Sequence, residues 1–275
     1  MSRPADRPIG VFDSGMGGLT VLREIVAALP AESTIYFGDT ARVPYGGKSA
    51  ATVQRYAREA AEYLLARDVK MIVIACNTAT AHAYELLARQ LHVPVVGVIE
   101  PGARACVEAT RTGRIGVIGT AGTIASGAYD FAVRRRLPGA RVYAQPCPLF
   151  VPLVEEGWVD HPATRLIADE YLRPLREMDV DVVVLGCTHY PLLRPLIGEV
   201  LGPSITLVDS AREAARDVAR ILDERGLRRT DGGLATHHFV ASDSPARFRE
   251  VGRRFVGELI DDVELVDVDG YGRAA

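Results

Sequence analysis

Two cysteines stand where a parallel α/β sheet presents its reactive groups. Cys76 follows the apolar run Met71–Ala75, and Cys187 follows the similar run Val182–Leu185 after one glycine. Small hydroxyl or amide residues come directly after each cysteine and can cap a helix. The N-terminus of a helix lowers the pKa of a thiol from about 8.5 and so favours the thiolate. Because ligands of such sheets bind beyond the carboxyl ends of the strands, we expect both thiols to contact a ligand.

An internal repeat puts the two cysteines at equivalent positions. Three strand-and-loop segments of the first half recur in the same order in the second half: Ile9–Gly15, Ile72–Thr78 and Val96–Glu100 recur as Ile115–Ala121, Val183–His189 and Ile205–Asp209. Chance similarity explains one such pair more easily than three. Two facing domains would bring Cys76 and Cys187 to opposite sides of one ligand, which suits inversion of a stereocentre. One thiolate would remove a proton from one face while the opposed thiol supplies a proton to the other.

Other polar groups lie beside the same predicted strand ends. The loop from Asp13 to Gly18 follows the first strand, and its N–H groups are suited to hold an anion. Asp13 itself is expected either to cap this turn or to belong to the catalytic site. The loop is not a dinucleotide fingerprint, because the third glycine of that motif would fall at Thr20. His189 lies two residues after Cys187, and we expect it to tune that thiol.

The long strand-to-helix connection Asp39–Gly46 combines polar groups with a rigid proline and an aromatic ring. Loops of this kind often contact ligands, although a solvated connection is the alternative. The following residues 46–49 imitate the end of a phosphate-binding loop. The first glycine of that motif would be Arg42, so we predict no nucleotide site there.

The remaining cysteines and histidines do not form a metal site in the sequence pattern. Cys106 and Cys147 are expected to be buried as small apolar residues. No CxxC pair or Cys/His ligand spacing is present, and His237 and His238 resemble strand residues without ligand partners. The two lysines of the chain lie outside any motif suited to a Schiff base. We therefore predict that the protein uses no metal and no other cofactor.

The elements that must position these residues alternate between short apolar strands and segments of helical period. This alternation indicates an α/β fold with two similar doubly wound domains, whose mainly parallel sheets face each other across a cleft. The predicted strands are Ile9–Phe12, Thr34–Phe37, Met71–Ala75, Val95–Ile99, Ile115–Ile118, Arg141–Ala144, Val182–Leu185 and Ile205–Val208. They lack polar alternation, which is typical of parallel strands buried on both faces.

The length of 275 residues is expected to form about two domains. We predict a first α/β domain over residues 1–99, completed by residues 210–275 packing back on it, and a second domain over residues 100–209. The first boundary is placed at Glu100-Pro101, because a residue before proline is biased away from helix. In the tail we expect a helix from Asp209 through about Leu222, a strand near 238–241, a helix after Ser244 and a last strand over 263–268.

The composition of the chain argues against some classes of binding partner. Hydrophobic residues make up 48% of the chain and charged residues 24%, which are ordinary globular values. The formal net charge of −3 argues against nucleic acid or an anionic membrane surface as the main partner. No apolar run has the length of a signal peptide or of the roughly 18 residues that span a membrane. We therefore expect a cytoplasmic protein that binds a small molecule.

Seven segments together resemble the glutamate racemases. In chain order they are IGVFDSGMGGLTVLREI, YFGDTARVPYG, IACNTATA, GVIEPG, GVIGTAGTI, PLFVPLVEEG and VLGCTHYPLL, and the tail segment HHFVASDSPARF is also similar. The match runs from about residue 9 to residue 210 and includes both cysteines. The resemblance implies a cofactor-independent isomerase that supplies D-glutamate for peptidoglycan synthesis and that forms homodimers.

The resemblance also implies roles for matching positions. The residue at Cys76 would take the α-proton from D-glutamate, and the residue at Cys187 would take it from L-glutamate, with Asp13 and His189 poising the thiols. Substrate contacts would fall on Asp13, Ser14, Tyr45, Gly46, Asn77, Thr78, Thr188, His189 and Glu155.

Two other functions fit the pattern in part. An aspartate racemase would use the same two cysteines, and one methylene of difference is worth only about 1–3 kcal/mol in a pocket. A two-domain amino-acid binding protein would close on its ligand without reaction, but it leaves the paired cysteines unexplained.

Overall fold

The computed structural model describes residues 3–230 and 232–268, which form two parallel sheets. The six-stranded sheet contains β1 (Ile9–Asp13), β2 (Thr34–Gly38), β3 (Met71–Ile74), β4 (Val95–Gly97), β9 (His237–Ala241) and β10 (Glu264–Leu265). The four-stranded sheet contains β5 (Arg114–Gly119), β6 (Arg141–Pro146), β7 (Val182–Gly186) and β8 (Thr206–Asp209). Their orders are β10-β9-β2-β1-β3-β4 and β6-β5-β7-β8. The order β2-β1-β3-β4 thus recurs as β6-β5-β7-β8, as the internal repeat predicts.

The mixed α/β fold with parallel sheets is confirmed, and all eight predicted strands are present. Every strand pair in both sheets is parallel. The central strands β1, β3 and β7 are buried at every position, which explains why their sequences lack polar alternation. In the tail, the strand predicted over 263–268 is shorter than expected and covers only Glu264–Leu265.

Eleven α-helices connect these strands within the described residues. They are α1 (Leu19–Ala28), α2 (Ala50–Leu65), α3 (Asn77–Gln90), α4 (Ile99–Ala109), α5 (Ala121–Ala125), α6 (Ala128–Arg136), α7 (Phe150–Glu155), α8 (Pro162–Glu177), α9 (Arg194–Leu201), α10 (Ser210–Glu224) and α11 (Pro245–Val256). None of the helices that the structure describes is both long and apolar enough to cross a membrane.

The chain passes between the sheets twice, through α4 and through α10. The bias away from helix expected at Glu100 is not seen, because Glu100 and Pro101 both lie in the first turn of α4. A proline is tolerated there, since the first N–H groups of a helix have no intrahelical partner to lose. We refer to residues 3–98, 210–230 and 232–268 as the six-stranded half, and to residues 99–209 as the four-stranded half. Whether these halves are the predicted domains stays a prediction.

Short polar side chains begin the helices that start at the sheet ends. Thr120 accepts a hydrogen bond from the Thr123 N–H at the start of α5, and Asp209 accepts one from the Ala211 N–H at the start of α10. Such caps satisfy N–H groups that have no partner inside the helix. They fix where the connecting loops end, and therefore where the loop side chains lie.

Candidate active site

Loops that follow the carboxyl ends of β1, β5 and β7 line one cavity of about 470 Å³. Ser14 lines it from the six-stranded half, and Thr120, Glu155 and His189 line it from the four-stranded half. Apolar side chains, including Val43 and Val151, form much of the remaining wall. The site therefore lies between the two halves, at strand ends, where open parallel sheets bind their ligands.

Cys76 is the residue that precedes α3 and caps it with its own sulfur. The Sγ accepts a hydrogen bond from the Ala79 N–H at 3.4 Å and lies 3.6 Å from the hydroxyl of Ser14. Burial, assisted by the charge of Asp13, raises the pKa of Cys76 to about 12, although the two hydrogen bonds oppose that rise. The raised pKa makes the thiolate, once formed, a stronger base than an ordinary cysteine.

Cys187 begins a chain of contacts in the four-stranded half. Its Sγ lies 3.9 Å from Nδ1 of His189, and Nε2 of the same ring lies 2.9 Å from Oε1 of Glu155. Burial alone would lower the pKa of His189, but hydrogen bonds to Cys187 and Glu155 raise it to about 10. His189 is therefore protonated at neutral pH, and its positive charge faces the sulfur.

Asp13 ends β1 beneath the loop that contains Ser14. Its Oδ2 accepts a hydrogen bond from the Gly15 N–H at 2.9 Å, as expected for a residue that caps this turn. Its Oδ1 is buried and has no hydrogen-bond partner among the described residues. Burial raises the pKa of Asp13, while the charge of His189 lowers it. The capping role is therefore seen at one oxygen, and a role of Asp13 in the catalytic site stays a prediction.

A cluster of hydroxyl groups joins the two halves beside Cys76. The Oγ1 atom of Thr78 lies 2.9 Å from that of Thr120 and 3.1 Å from that of Thr123. Thr120 and Thr123 are not among the site residues predicted from the sequence. The internal repeat contains the missing signal, since its first pair of segments aligns Ser14 with Thr120.

Tyr45 and Gly46 are neighbours in the chain, but only Gly46 lines the cavity. The Tyr45 ring is buried and its hydroxyl donates to Oδ2 of Asp39, so this group is already engaged. Gly46 lines the cavity, and a Cβ atom there would lie 2.8 Å from Cβ of Thr120. The absence of a side chain at Gly46 allows this close approach between the halves.

Thr188 is held from across the interface between the halves. The Thr20 hydroxyl donates to the Thr188 carbonyl oxygen at 3.0 Å. A Cβ atom at Gly17 would lie 2.3 Å from Oγ1 of Thr188 and 2.4 Å from Nδ1 of His189. Only glycine at position 17 lets the first loop approach these two side chains.

The other predicted residues lie away from these contacts. Cys106 and Cys147 are buried, as expected for small apolar residues. Lys70 forms a buried ion pair with Glu32 just before β3. This pair lies at the amino ends of the strands, whereas the cavity lies at their carboxyl ends. Within the part of the chain that the structure describes, no group of three or more His, Cys, Asp or Glu side chains is arranged to hold a metal ion.

The contact between Glu155 and His189 gives a pH-dependent prediction. We expect Glu155→Gln to lower the pKa of His189 from about 10, because the neutral amide no longer stabilises the imidazolium. The native pKa lies above the unfolded value near 6.5. The protonated ring therefore stabilises the fold fully below that value, and its contribution is lost as the pH rises through about 10. The free energy of unfolding should fall by about 1.5–3 kcal/mol at pH 6, and less at pH 10.

NMR titration of the His189 ring and urea unfolding at both pH values measure these effects. Glu156→Gln is the matched control, because the neighbouring Glu156 is exposed and pairs with Arg247 instead. An unchanged His189 pKa in Glu155→Gln would contradict the prediction.

Comparison with known proteins places these features in a family. Residues 9–218 match the family model described as Asp/Glu/Hydantoin racemase. The glutamate racemase of Geobacter metallireducens is 56% identical over 263 residues, which cover 96% of this chain and 97% of that protein.

Solved structures of similar proteins have the same fold. A glutamate racemase isoform from Bacillus anthracis, known from a crystal structure, is 41% identical in sequence. The two structures match with a TM-score of 0.92, and the match covers 95% of this chain and 97% of that chain. The glutamate racemase of Francisella tularensis, solved in complex with D-glutamate, is 38% identical. Its TM-score is 0.91, and the match covers 97% of this chain and 100% of that chain.

Proposed function

The chain belongs to the glutamate racemase family, and we propose that it interconverts L- and D-glutamate with two cysteines and without a cofactor. The observation that carries the mechanism is the placement of the two thiols. Cys76 and Cys187 follow the equivalent strands β3 and β7, and their neighbours Ser14 and His189 line one cavity from opposite halves. The Francisella tularensis relative binds D-glutamate, which supports glutamate as the ligand here.

The proposed reaction is a proton exchange at Cα. With L-glutamate, the Cys187 thiolate takes the α-proton and the Cys76 thiol gives its proton to the opposite face of the carbon, leaving a Cys76 thiolate. With D-glutamate the two roles are reversed. The proton count is unchanged in each direction, because one sulfur gains the proton that the carbon loses and the other sulfur supplies its replacement.

The difficulty of this reaction is the weak acidity of the α-proton. The raised pKa of Cys76 makes its thiolate a stronger base. The difference between the pKa of this thiol and the pKa of the α-proton is therefore smaller. Donor groups of Ser14, Asn77, Thr78 and Thr188 would bind the α-carboxylate and so stabilise the negative charge that develops beside it. The protonated ring of His189 places a positive charge beside Cys187, where negative charge forms when that thiol gives up its proton.

The resemblance also supports wider proposals. A role in supplying D-glutamate for peptidoglycan, a cytoplasmic location and a homodimeric state are all properties that we infer from the family. None of them enters the mechanism above.

Polarimetry tests the proposed function directly. We expect the optical rotation of L-glutamate and of D-glutamate to decay to zero with the purified protein, without added pyridoxal phosphate and after dialysis against a chelator. Aspartate should react roughly 10- to 200-fold more slowly, the range that one methylene changes in a pocket. Faster decay with aspartate would favour an aspartate racemase, and tight binding of glutamate without decay would favour a binding protein.

A further inference from the structure

The buried hydroxyl of Tyr129 reaches from one half of the molecule into the site of the other. Tyr129 lies on α6 in the four-stranded half, and its side chain is buried. The hydroxyl lies 2.8 Å from Oδ1 of Asn77, which directly follows Cys76 at the start of α3. Nothing in the proposed mechanism uses this tyrosine.

The surroundings of the Tyr129 hydroxyl decide the direction of the hydrogen bond. Burial raises the pKa of Tyr129 above its ordinary value of 10, so the hydroxyl keeps its proton at neutral pH. An amide oxygen can only accept a hydrogen bond, so the protonated Tyr129 hydroxyl is the donor to Asn77.

This hydrogen bond fixes the orientation of the side-chain amide of Asn77. With Oδ1 bound to Tyr129, the Nδ2 group points away from the tyrosine. Nδ2 is buried and has no hydrogen-bond partner among the described residues. A buried amide donor without a partner is costly, and a bound carboxylate would satisfy it.

Tyr129 also contacts the polypeptide where it passes between the halves. A Cβ atom at Gly102, on α4, would lie 3.0 Å from Cβ of Ser210 and 3.3 Å from the Tyr129 hydroxyl oxygen. Ser210 is the first residue of α10. The ring itself packs against Gly186, where a Cβ atom would lie 3.1 Å from Cε2 of the ring. Tyr129 therefore contacts the connecting helix α4, the residue before Cys187 and the residue after Cys76.

We propose that Tyr129 is a positioning residue that orients the Asn77 amide so that its Nδ2 donates to the α-carboxylate of the substrate. The inference rests on the proposed function, in which Asn77 binds that carboxylate. Because the bond joins the two halves, the amide is held in this orientation only while the halves keep the arrangement described here.

A double-mutant cycle tests the proposal. Tyr129→Phe keeps the ring and removes only the hydroxyl, and we expect kcat/KM for glutamate to fall about tenfold, the scale of one lost buried hydrogen bond. The fall should include a higher KM, since the carboxylate contact is already present before proton transfer. In an Asn77→Ala background, Tyr129→Phe should cause no further fall, because the residue through which it acts is gone.

Tyr190→Phe is the matched control, because the buried Tyr190 hydroxyl also donates a 2.8 Å hydrogen bond, to the Cys147 carbonyl. It should lose thermal stability much as Tyr129→Phe does, yet keep its KM. If Tyr129→Phe does not fold, Gly102→Ala provides a second test, because its Cβ atom would lie 3.3 Å from the Tyr129 hydroxyl oxygen and crowd it; the expected smaller rise in KM should be absent in the Asn77→Ala background.

The outcomes separate the inference from the proposed function. An unchanged KM in Tyr129→Phe, or an equal fall in kcat/KM in both backgrounds, would overturn the role of Tyr129. Full activity of Asn77→Ala would instead overturn the substrate contact on which the inference rests.

Discussion

Replacing either Cys76 or Cys187 by alanine is expected to reduce racemisation of glutamate in both directions by a factor on the order of 10³ or more. The reason is that each thiol is the proposed proton donor or acceptor on its own face of the substrate. General acid–base groups contribute about 10²- to 10⁴-fold each, and a racemase needs both groups in every turnover. The measurement is the initial rate of optical rotation change from each enantiomer.

The other two cysteines are the matched controls for these variants. Cys106 lies on α4 and is buried among apolar residues. Cys147 is buried just after the end of β6, and its sulfur lies 3.6 Å from the Gln145 carbonyl oxygen. Cys106→Ala and Cys147→Ala should therefore stay active. A Cys187→Ala or Cys76→Ala protein that racemises at a near wild-type rate would refute the two-thiol mechanism.

Much of the fold could be predicted because its signals are local. A strand such as β7 is buried on both faces, so every residue from Val182 to Leu185 is apolar and the sequence shows it directly. The repeat then gave the equivalence of β3 and β7, and with it the placement of Cys76 and Cys187. The residue at which a helix begins is harder to predict, as Pro101 shows. A proline in the first turn of a helix and a proline that ends a helix look alike in sequence.

The pairings between site residues, unlike most of the residues themselves, could not be predicted, because they join distant segments. Glu155 bonds to His189 across 34 positions, and Tyr129 bonds to Asn77 across 52. Such pairs leave no periodicity, because the two partners lie in different elements, Glu155 in α7 and His189 in a turn after β7, or Tyr129 in α6 and Asn77 in α3. Thr120 differs from these residues, since the internal repeat aligns it with Ser14 and so indicates its position in the site.

The second large effect concerns the hydrogen at Cα when the reaction runs in deuterated water. Thiols exchange their protons with solvent between turnovers, so Cys76 carries deuterium before it meets L-glutamate. The first D-glutamate to form should then be almost fully deuterated at Cα. The unreacted L-glutamate should stay almost fully protiated, because Cys187 removes its hydrogen but does not return one from solvent to the same face.

A mechanism with a single base would give a different labelling pattern. This difference tests whether the two sulfurs act on opposite faces of the substrate. One group that serves both faces would either carry the original hydrogen across to the product or, after exchange, label substrate and product alike. Mass spectrometry of the separated enantiomers at low conversion distinguishes these cases, and starting from D-glutamate should give the mirror-image result. Unlabelled product, or comparable early label in recovered substrate, would mean that Cys76 and Cys187 do not act on opposite faces. Asymmetric labelling in both directions would instead require two groups, and the contacts of Cys76 with Ser14 and of Cys187 with His189 place one sulfur in each half of the molecule.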